Sequence, residues 1–214
     1  MITVIISTVG GCGTSTMARD FAKEAKGLLI EASNRTRVQD LFLDEATDAI
    51  EDYMDFLRGK PLCDVVIQGD GYDFIQGNIF HDLEEIDDDD FFKAVDNFGD
   101  DDVFVDLSRY REKDLLNWAK VADVIYCVVV NRPGSIRNLD RIRFILRRNK
   151  CPAKVVVVLN RLKPGDREAM EGIENLYLDD ALYFNEVQKP SFSLKGGRAD
   201  GGEKKSFWSF LKGR

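Results

Sequence analysis

Ser7-Thr8-Val9-Gly10-Gly11-Cys12-Gly13-Thr14-Ser15-Thr16 follows the apolar run Ile2-Thr3-Val4-Ile5-Ile6 and precedes a stretch with helical periodicity. A strand, a glycine-rich turn and a helix, in that order, turn backbone N–H groups and a helix N-terminus toward a phosphate, and glycines permit the tight wrap. A standard phosphate loop, GxxxxGK[ST], would need glycine at Thr8 and lysine at Thr14. Both are absent. A glycine-rich turn after a first strand also closes a β-α unit that binds nothing. Gly10-Gly11-Cys12-Gly13 alone favours the turn that binds nothing, because short glycine motifs are common.

Outward from this loop, apolar runs alternate with helical patterns. Met17, Phe21, Ala22 and Ala25 predict a helix from Ser15 to Lys26, which Gly27 stops before a short strand at Leu28-Leu29-Ile30. Ala46 to Leu57 reads as a helix. Val65 to Gln68 and Tyr72 to Ile75 read as extended pieces around Gly69 and Gly71, and Asp88 to Asn97 as a helix. Val103–Leu107, Val124–Val130 and Val155–Leu159 are the strongest strand signals. The last two are almost wholly apolar and valine-rich, as parallel strands covered on both faces require. Between them, Ile136, Leu139, Ile142, Ile145 and Leu146 mark a helix from Ser135 to Arg148. The rhythm predicts an α/β fold: a doubly wound, mainly parallel sheet with helices on both faces. Residues 1–194 form one domain in this reading. Residues 195–203, with four glycines, form a flexible linker, and 204–214 a short amphipathic C-terminal helix.

Composition narrows the function classes. At 214 residues, 44% hydrophobic and 32% charged, the chain can bury the core of one large α/β domain. The formal charge is −8, but Lys195 to Arg214 carries six basic and two acidic residues, so the body stands at −12 and the tail at +4. An acidic body argues against nucleic-acid binding through the main surface. Residues 82–102 hold eleven acidic residues and one lysine. That run reads either as a dock for a basic partner or as a solvated acidic face, and Asp87 to Asp90 lack calcium-loop spacing. Cys12, Cys63, Cys127 and Cys151 form no close pair, which excludes a zinc ribbon and suits a reducing cytoplasm. A single histidine, His81, argues against a histidine-centred triad. No apolar run approaches the ~20 residues that span a bilayer, and no signal peptide is expected ahead of Ile2.

The surroundings of the loop resemble the ParA/MinD family of P-loop ATPases, whose loop reads roughly xKGGxGK[ST]T. Gly10, Gly11, Gly13, Ser15 and Thr16 match; Cys12 falls at a variable position, Val9 replaces the signature lysine and Thr14 the phosphate lysine. Leu28 to Ser33 resembles the second strand ending in I-D-x-D, with Glu31 for the first acid and Ser33 for the second. Val103-Phe104-Val105-Asp106 resembles the Walker B strand. Ala122-Asp123-Val124, Val130 to Pro133 and Ser135 to Arg141 resemble the MinD stretch A-D…(T/N)-P-x-x-S-V-R-D-x-D-R. Val158-Leu159-Asn160-Arg161 resembles the strand whose Asn reads adenine. The resemblance implies ATP or ADP, with Mg2+, held by Gly10, Gly11, Cys12, Gly13, Thr14, Ser15, Thr16 and Asn160. It implies a metal at Ser15 and Asp106 with Glu31 behind them, and catalytic roles at Asp106 and at the degenerate position Ser33. The departures bear on mechanism. The loop lysine stabilises phosphoryl charge, and Thr14 brings only a hydroxyl. The expectation is an ATPase fold with hydrolysis lost or very weak. The motif leaves open whether nucleotide still binds.

Lys204-Lys205-Ser206-Phe207-Trp208-Ser209-Phe210-Leu211 places Phe207, Trp208, Phe210 and Leu211 on one side of a short helix beside Lys204 and Lys205. Aromatics with cations suit an anionic membrane surface, and the segment is similar to the MinD membrane-targeting helix. The competing reading folds the aromatics back onto the domain. Together the resemblances imply a cytoplasmic homodimer, peripheral at the inner face of the cell membrane, that positions a protein assembly in a bacterial cell. The CpaE/TadZ group, which localises pilus secretion machinery, is the favoured branch. The rivals are a working ATPase in chromosome or plasmid partition or division-site placement, and a nucleotide-independent tail-anchored scaffold.

Overall fold

The computed structural model describes residues 1–33, 39, 51–69, 71–78, 86–99 and 101–166, and the backbone of 182–185. Along the chain these form β1 (Ile2–Ser7), α1 (Thr14–Ala25), β2 (Leu28–Glu31), α2 (Tyr53–Leu57), α3 (Leu62–Val65), β3 (Ile67–Gln68), β4 (Asp73–Ile75) and α4 (Asp88–Val95), which runs into a 3-10 turn at Asp96–Phe98. Then come β5 (Val103–Leu107), α5 (Glu112–Val121), β6 (Val124–Val129), α6 (Pro133–Arg148), β7 (Lys154–Leu162) and β8 (Leu182–Asn185).

Among the described residues the strands make one sheet in the order β3-β4-β2-β5-β1-β6-β7-β8. Every pairing is parallel except that of two-residue β3 with β4. The centre is β1, where Val4 lies opposite Val105 of β5 and Ile125 of β6. Alternation sends Val4 and Ile6 to one face and Ile5 to the other, and both faces are covered. Met17, Ala18, Phe21 and Ala22 of α1 pack on Ile5, Leu29, Phe104 and Tyr126. The opposite face carries α2, α4, α5 and α6 over Val4, Val105, Ile125 and Cys127. There Trp118 stands edge-on to Phe91, with centroids 5.1 Å apart, and stacks on Tyr53 at 6.2 Å. Full burial of such side chains contributes ~1.5–3 kcal/mol each. Cys127 lies in this core, where burial pushes its thiol up to about 12, so it is a packing residue.

The doubly wound architecture agrees with expectation; several elements differ. The helix expected from Ala46 begins at Tyr53, because Asp52 closes a capping box: Asp55 N donates to Asp52 Oδ1 at 3.3 Å and Asp52 N to Asp55 Oδ2 at 3.1 Å. Residues 46–50 lie outside the described set. Leu62–Val65 is a helical turn where an extended piece was expected from Val65, and only Ile67–Gln68 pairs as strand. The helix α5 and the strand β8 were not anticipated. In the acidic run, Asp87 caps α4 by accepting from Asp90 N at 2.8 Å, and Asp88 meets Lys113 and Lys120 of α5 at 3.5 and 3.8 Å. That part of the run has a structural role between two helices. Gly27 is required by close approach: a Cβ there would sit 2.3 Å from the Asp102 carbonyl oxygen, where α1 hands over to β2. His81, the linker 195–203 and the helix expected over 204–214 lie outside the described residues.

Candidate nucleotide site

Strand β1 lies between β5 and β6, where the chain connections diverge. The crevice beyond the carboxyl ends of such strands is where open α/β sheets bind ligands. β1 delivers the glycine loop into it. Gly11 and Gly13 adopt left-handed φ of 73° and 99°, conformations that favour glycine. Gly13 is the N-cap of α1, with no side-chain cap and no acidic residue in the first turn. The helix amides thus face the crevice without an internal anion. Gly10 and Gly11 are exposed and a Cβ on either would meet nothing within 4 Å. The loop is tied down from behind. Asn160 Nδ2 of β7 donates to the Cys12 carbonyl at 2.6 Å, and Asn138 Nδ2 of α6 to the Thr8 carbonyl at 2.7 Å. The Thr8 hydroxyl donates to the Val128 carbonyl at 2.7 Å and pairs with the Ser135 hydroxyl.

The loop side chains supply no positive charge. Thr14 is 3% exposed, and its Oγ1 lies 3.1 Å from Cys12 Sγ. Val9 packs against the α1-side core. The loop glycines hold left-handed torsions, while Thr14 at the head of α1 presents a buried, neutral hydroxyl.

On the other side of the crevice, Glu31 and Asp106 face each other across the β2–β5 pairing, both fully buried. Ser33 knits these strand ends: its Oγ donates to the Asp106 carbonyl at 3.3 Å, pairs with Ser108 Oγ at 2.7 Å and accepts from Ser108 N at 3.1 Å. The third member is Gln39. Its Nε2 donates to Asp106 Oδ2 at 2.8 Å and to the Ser15 carbonyl at 2.9 Å, and its backbone N points at both Glu31 carboxylate oxygens at 3.4 Å. Gly77 N donates to Glu31 Oε2 at 3.3 Å. Burial pushes the Asp106 carboxyl above the usual carboxylate range, against the pull of Ser15, Gln39 and Ser108. Its Oδ1 is buried and makes no hydrogen bond of ordinary geometry.

A divalent cation would need oxygen acceptors turned inward. Ser15 and Asp106 qualify, but the Gln39 amide presents N–H donors to the same carboxylate. In this arrangement the donor set does not fit a magnesium ion. Among the described residues, no group of three or more His, Cys, Asp or Glu side chains is placed to hold a metal, and no helix is long and apolar enough to cross a membrane.

The same fold occurs in solved structures. A plasmid partition protein from Borrelia burgdorferi matches with a TM-score of 0.74 at 17% identity, over 86% of this chain and 89% of its own. A chain of the MinC:MinD cell division complex from Aquifex aeolicus matches at 0.67 and 24% identity, over 86% and 81%. The fold is that of the ParA/MinD ATPases. The septum site-determining protein MinD from Pyrococcus horikoshii, complexed with Mg-ADP, also matches at 0.67 with 15% identity over 86% and 81% of the two chains. No protein-family profile and no curated protein matches this sequence.

Within this ParA/MinD fold, Gly10 to Thr16 fall in one loop-to-helix turn, Glu31 and Ser33 at the end of β2, Asp106 in β5 and Asn160 in β7. Gln39 links Ser15 to Asp106, and Asn160 ties the loop to β7. The Asn160 amide holds the loop, and its Oδ1 accepts from Arg161 N at 2.8 Å. Lys204, Lys205, Phe207, Trp208, Phe210 and Leu211 lie outside the described residues. Sequence reading missed Gln39, which has no neighbouring pattern to mark it. It also missed the loop ties from Ser135 and Asn138, although the MinD-like stretch containing them was in view.

Proposed function

We propose that this chain is a ParA/MinD-type positioning protein in which the nucleotide fold persists and phosphate chemistry has been lost or nearly so. One observation carries the reading: the glycine loop keeps its cradle torsions while Thr14, buried and neutral, stands at the phosphate-lysine position. Phosphoryl transfer depends chiefly on charge stabilisation of the transferring group, and neither Thr14 nor Val9 supplies it. The chain's contribution is then binding and placement: loop amides that accept an anion, and Ser33 fastening two strands in place of orienting water. Dimer formation in this reading needs no ATP, because Val9 cannot reach across a nucleotide-filled interface. The cargo is a membrane-associated machine, with pilus or secretion assemblies favoured, and the cationic, aromatic segment from Lys204 to Leu211 supplies reversible attachment to anionic lipid.

Two measurements test this. Purified protein with Mg-ATP should release phosphate near the background rate; sustained turnover that Asp106→Ala abolishes would overturn the proposal. The full chain should sediment with anionic vesicles and less with neutral ones, and salt should release it. Removal of residues 203–214 should abolish sedimentation while leaving the melting temperature unchanged. Undiminished binding of the truncated protein would assign attachment elsewhere.

A further inference from the structure

The carboxylate side of the crevice contains an arrangement that the loss of the loop lysine does not explain. Gln39 is 1% exposed and buries a carboxamide between Ser15 and Asp106. Its orientation is fixed by chemistry. Nε2 faces a carbonyl and a carboxylate, both acceptors, so the flipped amide would set oxygen against oxygen twice. The backbone N–H of the same residue points at Glu31. One residue thus turns donors toward both buried acids, where a cation would otherwise neutralise charge. The match is incomplete, because Asp106 Oδ1 and Gln39 Oε1 are buried with no hydrogen-bond partner. Such groups leave a standing penalty, so the amide meets only part of what the buried acids require.

We infer that the Gln39 carboxamide is a built-in substitute for the divalent cation at the Ser15–Asp106 centre: it holds the acids in place and excludes the metal. Any phosphate ligand of the loop therefore binds as the metal-free anion. Only this last consequence rests on reading the loop as a phosphate cradle. Exclusion of metal concerns the protein alone.

The test uses the full chain, Mn2+ and Mg2+, and no nucleotide. Gln39→Glu keeps the shape and replaces both side-chain donors with an acceptor; Gln39→Ala removes the amide. Mn2+ binding is followed by loss of the free-ion paramagnetic signal. Gln39→Glu should gain one site that binds about tenfold or more tightly than anything in the native chain, and Gln39→Ala a weaker one. Adding Asp106→Asn to Gln39→Glu should remove the gain, which separates this centre from the surface acids. Mg2+ should raise the melting temperature of Gln39→Glu, since a ligand that binds only the native state stabilises it, and leave the native protein unmoved. If Gln39→Glu folds only with Mg2+, the inference stands; if it folds in neither condition, Gln39→Ala decides. The inference is overturned if native protein binds Mn2+ as tightly as the variants, or if no variant gains a site. An ATP titration in chelator and in Mg2+ is read separately. If the native chain binds no ATP, the cradle reading fails and the metal result is untouched.

Discussion

The two sides of the strand-end crevice differ in kind. On the β1–α1 side the backbone is kept and the side-chain charge is missing: Gly11 and Gly13 hold left-handed torsions, while Thr14 and Val9 are neutral. On the β2–β5 side buried acids meet amide donors: Glu31 and Asp106 are fully buried, and Gln39 Nε2 donates to Asp106. The contrast separates a site shaped by backbone from one shaped by side chains. A loop that works through backbone N–H groups retains its shape when a lysine is removed, because torsions at glycine and ties such as Asn160 to Cys12 do not depend on that lysine. Buried acids behave differently. Buried carboxylates burden the fold unless donors reach them, and Gln39 is one such donor.

The largest effect should come from restoring charge to the loop side. Thr14→Lys places a cation at the head of α1, where a charge-assisted bond to a phosphate contributes ~1.5–3 kcal/mol. Nucleotide affinity should rise about tenfold to a hundredfold by equilibrium titration. Turnover should remain near background, since Val9 and Ser33 are unchanged. Unchanged affinity would show that the loop does not serve as a cradle even with its cation supplied, and would collapse the contrast into a single degenerate turn.

The same contrast explains what could be read from sequence. β6 is an unbroken apolar run and β5 is broken only by Asp106, because both faces are covered, and that burial is written in composition. The loop was legible because its work requires glycine at fixed places. Val65 looked extended by local preference, but it ends a helical turn that begins after Pro61; Val66 is extended, and only Ile67–Gln68 finds a partner strand. The Leu115, Trp118 and Ala119 pattern of α5 was present and went unread beside the stronger strands flanking it. Gln39 was not legible at all. Its partners lie 24 and 67 residues away in sequence, at Ser15 and Asp106, and no local periodicity announces a contact made by one side chain across the fold.

The smallest effect sharpens the other side. Asp106 has its carboxyl pushed up by burial, so the native state holds the proton more tightly than the unfolded chain, where an ordinary Asp titrates near ~3.9. By linkage this group detracts nothing below the unfolded value. Its penalty grows as pH rises through the folded value, because the charged form must then be kept buried. Asp106→Asn removes the charge while its amide oxygen can still accept from Gln39 Nε2. It also sets an unpaired N–H where Oδ1 lies, which offsets part of the gain. The net at pH 8 should be a stabilisation of about 1 kcal/mol, or ~2–4 °C in melting temperature for a chain of this size. The advantage should shrink as the pH falls toward 4. Thr14→Ser, which alters only the neutral side, should show a difference from native that does not change with pH. Melting curves of the three proteins across that range decide the matter: a penalty for Asp106→Asn that is constant with pH would mean that Asp106 is not held as a buried charge, and the two sides of the crevice would no longer differ in kind.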